Sequence, residues 1–591
     1  MPLDRTGAVP GKLSLRYATE SGVRAKKHVL LALTGGPGQP GVPFGPSFAS
    51  ELAPVLSDHS LVVVDQRGTG GSYGLSCPEV QGIDGLSAVF PGDVGGCADR
   101  IGPAINSFAS IETAADIEAV REKLGVDKIA LYGVSYGTWV EQQYARLYPT
   151  HVERLVLDSV VAPVDDPYDL RTYQLLPRVL RGLCAGGACD GITTDPVADL
   201  DAVVRRIQTG GQLRGTIRNA SGGRERAALS QSDLVSIIIA SDLNSYMQAR
   251  VPAALVAGRR GDPLPLLRLK HDTAGATSPL DQFSAGLFVA TTCLDNDLPY
   301  GYGDPGDVRA TKAAAALAQV PDSAFAPFDR QTVNVSSLPQ FCLQWPDGSF
   351  RHESTAPMPD VPTLMLSGTA DFRTPTENAQ LLATEIPHAQ IVTLHGSGHD
   401  VGGVDTTGCF EAALRRFFAD RPVGTPCKGH SVAPRLALTP PQSLGAVAAL
   451  PGVPGLRGKV LRAAVDTLLD TADSDNESYY AGFTDTSGGG LRGGFFESHA
   501  TGAGQLLTLH RIQYVPRVAL SGKMLIDAQL VIGGVRVSAP DGLSGRVLLL
   551  GASVVGRLGG RVVHTTLGRL QRTRLTPAAR RVGVVSRIRM P

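Results

Sequence analysis

Three short stretches hold residue types that together can cut an acyl bond. "GVSYGT" (133–138) sets Ser135 between two glycines, "TADFRTP" (369–375) carries Asp371, and "GSGH" (396–399) ends in His399. A serine hydroxyl attacks a carbonyl only when a base takes its proton and a third group orients that base. In an open parallel sheet the order serine, acid, histidine places each partner on a loop after a strand. We therefore expect Ser135 as nucleophile, His399 as base and Asp371 as the orienting acid. Asp158, at the end of "VERLVLD" (152–158), is the rival acid, and His395, read as lying within its strand, is the rival base. Asp400 and Asp405 read as caps or solvated acids of the next turn. A tetrahedral intermediate also needs donors for its oxygen. These are expected from the amide of Tyr136 and from the backbone of Gly35 and Gly36 in "TGGPG" (34–38).

Such residues act only if regular elements hold them. "DKIALY" (127–132) reads as a strand leading into Ser135, and "GTWVEQQYARLYP" (137–149) as the helix leaving it. Val140, Tyr144 and Leu147 fall at helical spacing, and Pro149 ends the run. "HVLLALTGGPG" (28–38) and "HSLVVVDQRGTGGS" (59–72) are apolar runs ending in glycine-rich turns. In "SIETAADIEAVREKLG" (110–125), Ala114, Ile117, Val120 and Leu124 share a helix face, with Ser110 placed to cap it and Gly125 to end it. Near-continuous valine, leucine and isoleucine strands alternating with helices predict a parallel sheet covered on both faces.

That rhythm fails over 162–354, which reads as a mainly helical insertion. It returns in "VPTLMLSGTADFRTP" (361–375), "AQIVTLHGSGHD" (389–400) and the helix "CFEAALRRFFAD" (409–420). After a proline-rich linker the texture changes again. "GKMLIDAQLVIGGVRVSA" (522–539) and "GRVLLLGASVVGRLGGRVVHTTL" (545–567) are short β-type runs divided by glycines. The expected layout is a first core part (1–161), a cap insertion (162–354), a second core part (355–430), and a linker with a β-rich accessory domain (431–591).

At 591 residues, two to four domains are expected. Fifty-five basic residues balance 55 acidic ones, which argues against a nucleic-acid partner. Arginines recur from Arg557 to Arg589 with hardly an acid among them, a contact patch or a solvated basic face. No apolar run approaches the roughly 20 residues of a membrane-crossing helix. The start of the chain lacks the charged-then-apolar pattern of a leader. The eight cysteines favour an oxidising compartment, with the leader absent from the numbered chain. Paired in sequence order they close four modest loops, one connectivity among about 105. Their spacing does not suit a zinc site, and neither metal nor cofactor is expected.

Together "GGPG" (35–38), "DQRGTGGS" (65–72), "GVSYGT" (133–138), "GSGH" (396–399) and "YARLYPTHVERLVLDSVV" (144–161) resemble the prolyl-iminopeptidase and tripeptidyl-aminopeptidase family of α/β-hydrolase serine peptidases. Thr34, where prolyl iminopeptidases usually have histidine, and Tyr136, where they commonly have tryptophan, point to the tripeptidyl-type branch. So does the likeness of "CLDND" (293–297) and "CLQW" (342–345) to that branch's cap. The resemblance covers roughly residues 5–430. It implies an α/β-hydrolase fold with 162–354 as cap, the triad Ser135, Asp371 and His399, and disulfides of an exported enzyme. The expected activity is that of a serine aminopeptidase releasing short N-terminal pieces. An esterase or amidase on small substrates, or a non-catalytic binding protein of hydrolase fold, are the alternatives. An aminopeptidase must hold a free α-ammonium, and Asp295 and Asp297 are the candidate carboxylates for it.

Overall fold

The valine- and leucine-rich runs become strands because both their faces can be buried. β1 (Tyr17–Thr19), β2 (His28–Leu33), β3 (His59–Val64), β4 (Ile129–Val134) and β5 (Val152–Asp158) precede a separate hairpin, β6 (Leu213–Arg218) and β7 (Arg224–Leu229). β8 (Thr363–Gly368) and β9 (Gln390–Leu394) follow. Among the described residues the central sheet has the order β1-β3-β2-β4-β5-β8-β9, parallel except where β1 runs against β3. In this computed structural model the described residues are 1–19, 28–82, 91–164, 166–274, 278–301, 303–346, 354–480, 485–526 and 531–567.

Alternate residues of each strand feed opposite layers. Val29, Leu31 and Leu33 pack with Ile117, Val140 and Tyr144 of helices Ser110–Leu124 and Tyr136–Leu147. Leu30 and Ala32 pack on the other side with Phe48, Phe410 and Leu414. Each fully buried leucine or valine contributes about 1.5–3 kcal/mol, so these two layers dominate the stability of the sheet. The strand order reverses at β2, whose neighbours are β3 and β4. A crevice therefore opens beyond the carboxyl ends of β2 and β4, where ligands bind in open α/β sheets.

The chain divides into two compact units, Met1–Leu183 with Thr273–Ala433, and Cys184–Asp272 with Pro434–Pro591. This division cuts the segment 162–354 between residues 183 and 184 and again between 272 and 273. The first unit contains the central sheet and the helices Ala285–Leu294, Gly306–Ala318 and Arg330–Ser336. A small core of its own surrounds Trp345, with disulfides Cys77–Cys97 and Cys293–Cys342 running through it. Cys409–Cys427 braces the last helix of this unit.

The second unit contains Cys184–Cys189, the β6–β7 hairpin, and an antiparallel meander of eight strands among the described residues. These are β10 (Thr486–Gly489), β11 (Gly493–Thr501), β12 (Gly504–Gln513), β13 (Ala519–Ile526), β14 (Val531–Ser538), β15 (Gly545–Leu550), β16 (Ser553–Leu558) and β17 (Arg561–Thr566). The helix Gly455–Tyr480 supplies Val460, Leu461, Leu468 and Leu469 to one face of the meander. The segment 184–272 joins that helix through buried ion pairs. Arg268 grips Asp470 with two bonds of 2.7 and 2.6 Å, and Arg250 meets Glu477 at 2.6 Å.

Gly125 ends the helix Ser110–Leu124 in the left-handed region as expected, but Ser110 does not cap it. The helix begins on Ser110 itself, whose N–H donates to the carboxylate of Asp295 at 3.0 and 3.2 Å. A charged acceptor brought by the tertiary fold outcompetes a local hydroxyl.

Candidate active site

β4 ends in a turn that only glycine neighbours permit. Ser135 has φ 57° and ψ −123°, a strained conformation that lifts the side chain off the sheet end before the helix Tyr136–Leu147 begins. A Cβ on Gly133 would lie 2.6 Å from the carbonyl carbon of Gly137, and one on Gly137 would lie 2.8 Å from the Leu33 oxygen. Backbone bonds fix the turn. The Ser135 N–H donates to the Asp158 carbonyl at 2.9 Å, and the Thr138 hydroxyl donates to the Ser135 carbonyl at 2.7 Å. The loop after β2 comes alongside, since a Cβ on Gly35 would stand 2.9 Å from that of Ser135. Tyr136 opens its helix, so its N–H belongs to the first turn, which has no partner inside the helix.

The loops after β8 and β9 bring the acid and the imidazole together. His399 Nδ1 lies 2.9 Å from Asp371 Oδ2, and both side chains are buried. The other Asp371 oxygen accepts the N–H groups of Arg373 at 3.0 Å and Thr374 at 2.8 Å. Burial alone would raise the Asp371 pKa. The charge of His399, its hydrogen bond and the donors of Thr374 outweigh burial and hold the carboxyl well below its usual range. Asp371 thus stays ionised in a dry site beside the His399 imidazole.

Asp158 sits elsewhere in the network. It accepts from the N–H groups of Val401 at 2.9 Å and Gly402 at 2.7 Å, in the turn that follows His399 and Asp400. Burial, then repulsion from Asp400, pushes its pKa up to about 7 against the pull of those amides. These bonds brace the histidine loop at the start of the short turn Val401–Val404, whose own cap is Asp400. Asp400 accepts from the Gly403 N–H, and Asp405 from those of Thr407 and Phe410. His395 lies one residue beyond the end of β9 and not within it. It is exposed, because register at that strand end turns its side chain to solvent beside Thr369.

A cavity of about 260 Å³ adjoins these loops, its wall including Pro37, Tyr136, Trp139, Thr291, Asp295 and Thr374. Asp295 is 7 % exposed. Besides the Ser110 N–H it accepts the Tyr136 hydroxyl at a long 3.4 Å, and burial followed by this carboxylate keeps that phenol protonated. Asp297 is exposed and is not among the residues of the cavity wall. Thr374 was not legible as a site residue from chemistry alone. Its Oγ1 donates to Asp371 Oδ2 at 2.7 Å and lies 3.0 Å from His399 Nδ1. The Asp-x-x-Thr spacing of a side-chain-capped turn was the available signal.

Comparisons with known proteins fit this geometry. A family model described as the α/β hydrolase fold matches residues 28–180, which include Gly35, Gly36, Ser135 and Tyr136. One described as TAP-like protein matches residues 327–427, which include Asp371 and His399. The chain is 30% identical over 175 residues to a tripeptidyl aminopeptidase of Streptomyces coelicolor, covering 26% of this chain and 32% of that one. It is 26% identical over 327 residues to the serine protease Hip1 of Mycobacterium tuberculosis, covering 52% and 59%. It is 22% identical over 422 residues to a putative hydrolase, YuaR, of Escherichia coli, covering 68% and 80%. The chain thus spans about a third of the length of the tripeptidyl aminopeptidases it matches.

Proposed function

We propose that this chain, an α/β hydrolase whose second core segment is TAP-like, is a serine peptidase of the aminopeptidase type. The observation that carries the reading is the buried Asp371–His399 pair on loops of the same sheet whose β4 ends in the Ser135 turn. Ser135 Oγ attacks the scissile carbonyl while His399 takes its proton through Nε2. Asp371 holds Nδ1–H and balances the charge of the imidazolium. The Tyr136 N–H and the backbone at Gly35 and Gly36 receive the oxyanion. His399 then protonates the leaving amine, and water, deprotonated by the same imidazole, releases the acyl group. These steps are supplied by side chains and backbone of the chain itself.

Aminopeptidase action additionally requires an anchor for the substrate's ammonium. Asp295 is favoured because it is a buried carboxylate on the cavity wall, next to the helix whose first residue is Tyr136. Asp297, exposed and outside that wall, is the weaker of the two candidates. Four disulfides among the described residues support an oxidising, extracytoplasmic location.

The test is labelling by a fluorophosphonate probe, followed by rates on one peptide substrate with a free and an N-acetylated amino terminus. Labelling at Ser135 and a large loss of kcat/KM on acetylation are expected, with the discrimination erased in Asp295→Asn. Labelling with equal rates on free and blocked substrate favours an esterase or amidase. Absence of labelling favours a binding protein of hydrolase fold.

A further inference from the structure

The catalytic reading leaves the outer face of the second unit's meander unused. Strand register sorts its residues. Leu520, Met524, Val535, Val537, Val547, Leu549, Val554 and Leu558 point inward to the core under the helix Gly455–Tyr480. The opposite face presents three cross-strand rows. Ser521, Arg536, Arg546, Arg557 and Val562 form the first, directly opposite one another from β13 to β17. Lys523, Gly534, Leu548, Val555 and His564 form the second, and Leu525, Ile532, Leu550, Ser553 and Thr566 the third.

Two features of this face are costly in water. Like charges directly opposite on neighbouring strands destabilise a sheet, and here three arginines stand in line. Among the described residues none of Lys523, Arg536, Arg546 and Arg557 forms an ion pair, although Arg557 donates to the Gly560 carbonyl at 2.7 Å. The described residues from 519 to 567 contain a single carboxylate, Asp541, in the turn between β14 and β15. Beside the arginines, large aliphatic side chains are exposed: Leu548 by 36%, Leu550 by 44% and Val562 by 72%. A depression of about 600 Å³ runs along Arg536, Arg546, Leu548 and Arg557.

We propose that this face docks on an anionic lipid bilayer. The arginine row matches a layer of phosphate headgroups, and the aliphatic rows beside it enter the boundary between headgroups and acyl chains. A soluble polyanion would satisfy the arginines but leave the leucines and valine in water. The chain's own end is no substitute partner, because residues 568–591 carry seven further arginines and no acid. The tail itself lies outside the described residues.

The full chain should float with vesicles of phosphatidylcholine mixed with phosphatidylglycerol and remain behind with phosphatidylcholine alone. Arg536→Gln, Arg546→Gln and Arg557→Gln should each weaken flotation by about 5-fold, and the triple variant by about 100-fold. Arg546→Gln should at the same time raise the melting temperature, because it removes the central like charge. That opposite movement is not expected of a residue kept for structure. Leu548→Ser with Leu550→Ser should weaken vesicle binding but leave retention on heparin unchanged. Rates on a small anilide substrate should be unaltered in every variant, which verifies folding. The proposal is overturned if anionic vesicles do not recruit the chain, or if the arginine variants bind them as the parent does. Vesicle binding that the leucine variants leave intact, together with tight heparin retention, overturns it in favour of a soluble polyanion.

Discussion

The Ser135 hydroxyl takes no part in the bonds that shape its turn, which are made by backbone and by Thr138. Ser135→Ala should therefore abolish turnover with the melting temperature nearly unchanged, as kinetics and calorimetry on one preparation will show. Asp371→Asn should lower kcat by about 10⁴, because an amide in that place favours the wrong imidazole tautomer. A silent Asp371→Asn beside a crippled Asp158→Asn would falsify the assignment of the acid. Thr374 acts on the pair from the side. Thr374→Val should cost roughly 10-fold in kcat, the worth of one hydrogen bond of about 1.5 kcal/mol to a charged acceptor. KM should hardly move, and Thr374→Ser should restore the rate, which a purely steric role would not predict.

At the scale of elements, the amino ends of the strands are held by a second polar cluster. Glu153 on β5 meets His28 Nδ1 at 3.1 Å and His59 Nε2 at 3.2 Å, residues paired with each other at the starts of β2 and β3. Burial would raise the Glu153 pKa, but bonds and charge from His59, then His28, bring it down to about 2 from 4.5. A carboxyl depressed in the folded state binds fewer protons than in the unfolded chain. Its stabilising effect is present above the unfolded value and is lost as pH falls from 4.5 towards about 2. Thermal unfolding followed between those limits should show the parent losing stability more steeply than Glu153→Gln, the two curves converging at the acid end. In the second unit, Arg268→Ala leaves the Asp470 carboxylate buried without its bidentate partner. Loss of a buried partner of this kind costs about 3–5 kcal/mol. Denaturant unfolding should register most of it, and Arg268→Lys should recover only part, since lysine lacks the two-pronged geometry.

Across the whole molecule the disulfides differ in how much chain they constrain. Cys293–Cys342 closes a separation of 49 residues and Cys184–Cys189 one of 5. On loop-closure grounds the first contributes about 4 kcal/mol and the second about 2 kcal/mol. Replacing both cysteines of the longer loop by serine should therefore lower stability more than the same change in the shorter one. Peptide mapping without reductant should recover Cys77–Cys97, Cys184–Cys189, Cys293–Cys342 and Cys409–Cys427. Free thiols in protein taken from its native compartment would contradict the extracytoplasmic proposal.

The sequence by itself determined a parallel sheet covered on both faces and the position of the serine turn, and its resemblance to a peptidase family implied the α/β-hydrolase fold. The sheet and the turn rest on local facts: apolar runs that must be covered on two faces, and glycines at 133 and 137 that only a tight turn explains. The sequence left the cysteine pairing as one connectivity among about 105, and the fold joins each cysteine to its nearest neighbour, closing the shortest loops. What adjoins His399 was decided by tertiary structure, since Asp371 follows β8, Asp158 ends β5, and only packing sends His399 Nδ1 to one of them. Packing likewise gave Asp295, and not Ser110, the N-terminus of the helix Ser110–Leu124. The fold also gathered 184–272 with the chain beyond 434, through ion pairs spanning some 200 residues that no local pattern announces. The arginine row is the clearest case. Arg536, Arg546 and Arg557 are separated in sequence by 10 and 11 positions, and only the register of three adjoining strands sets them side by side.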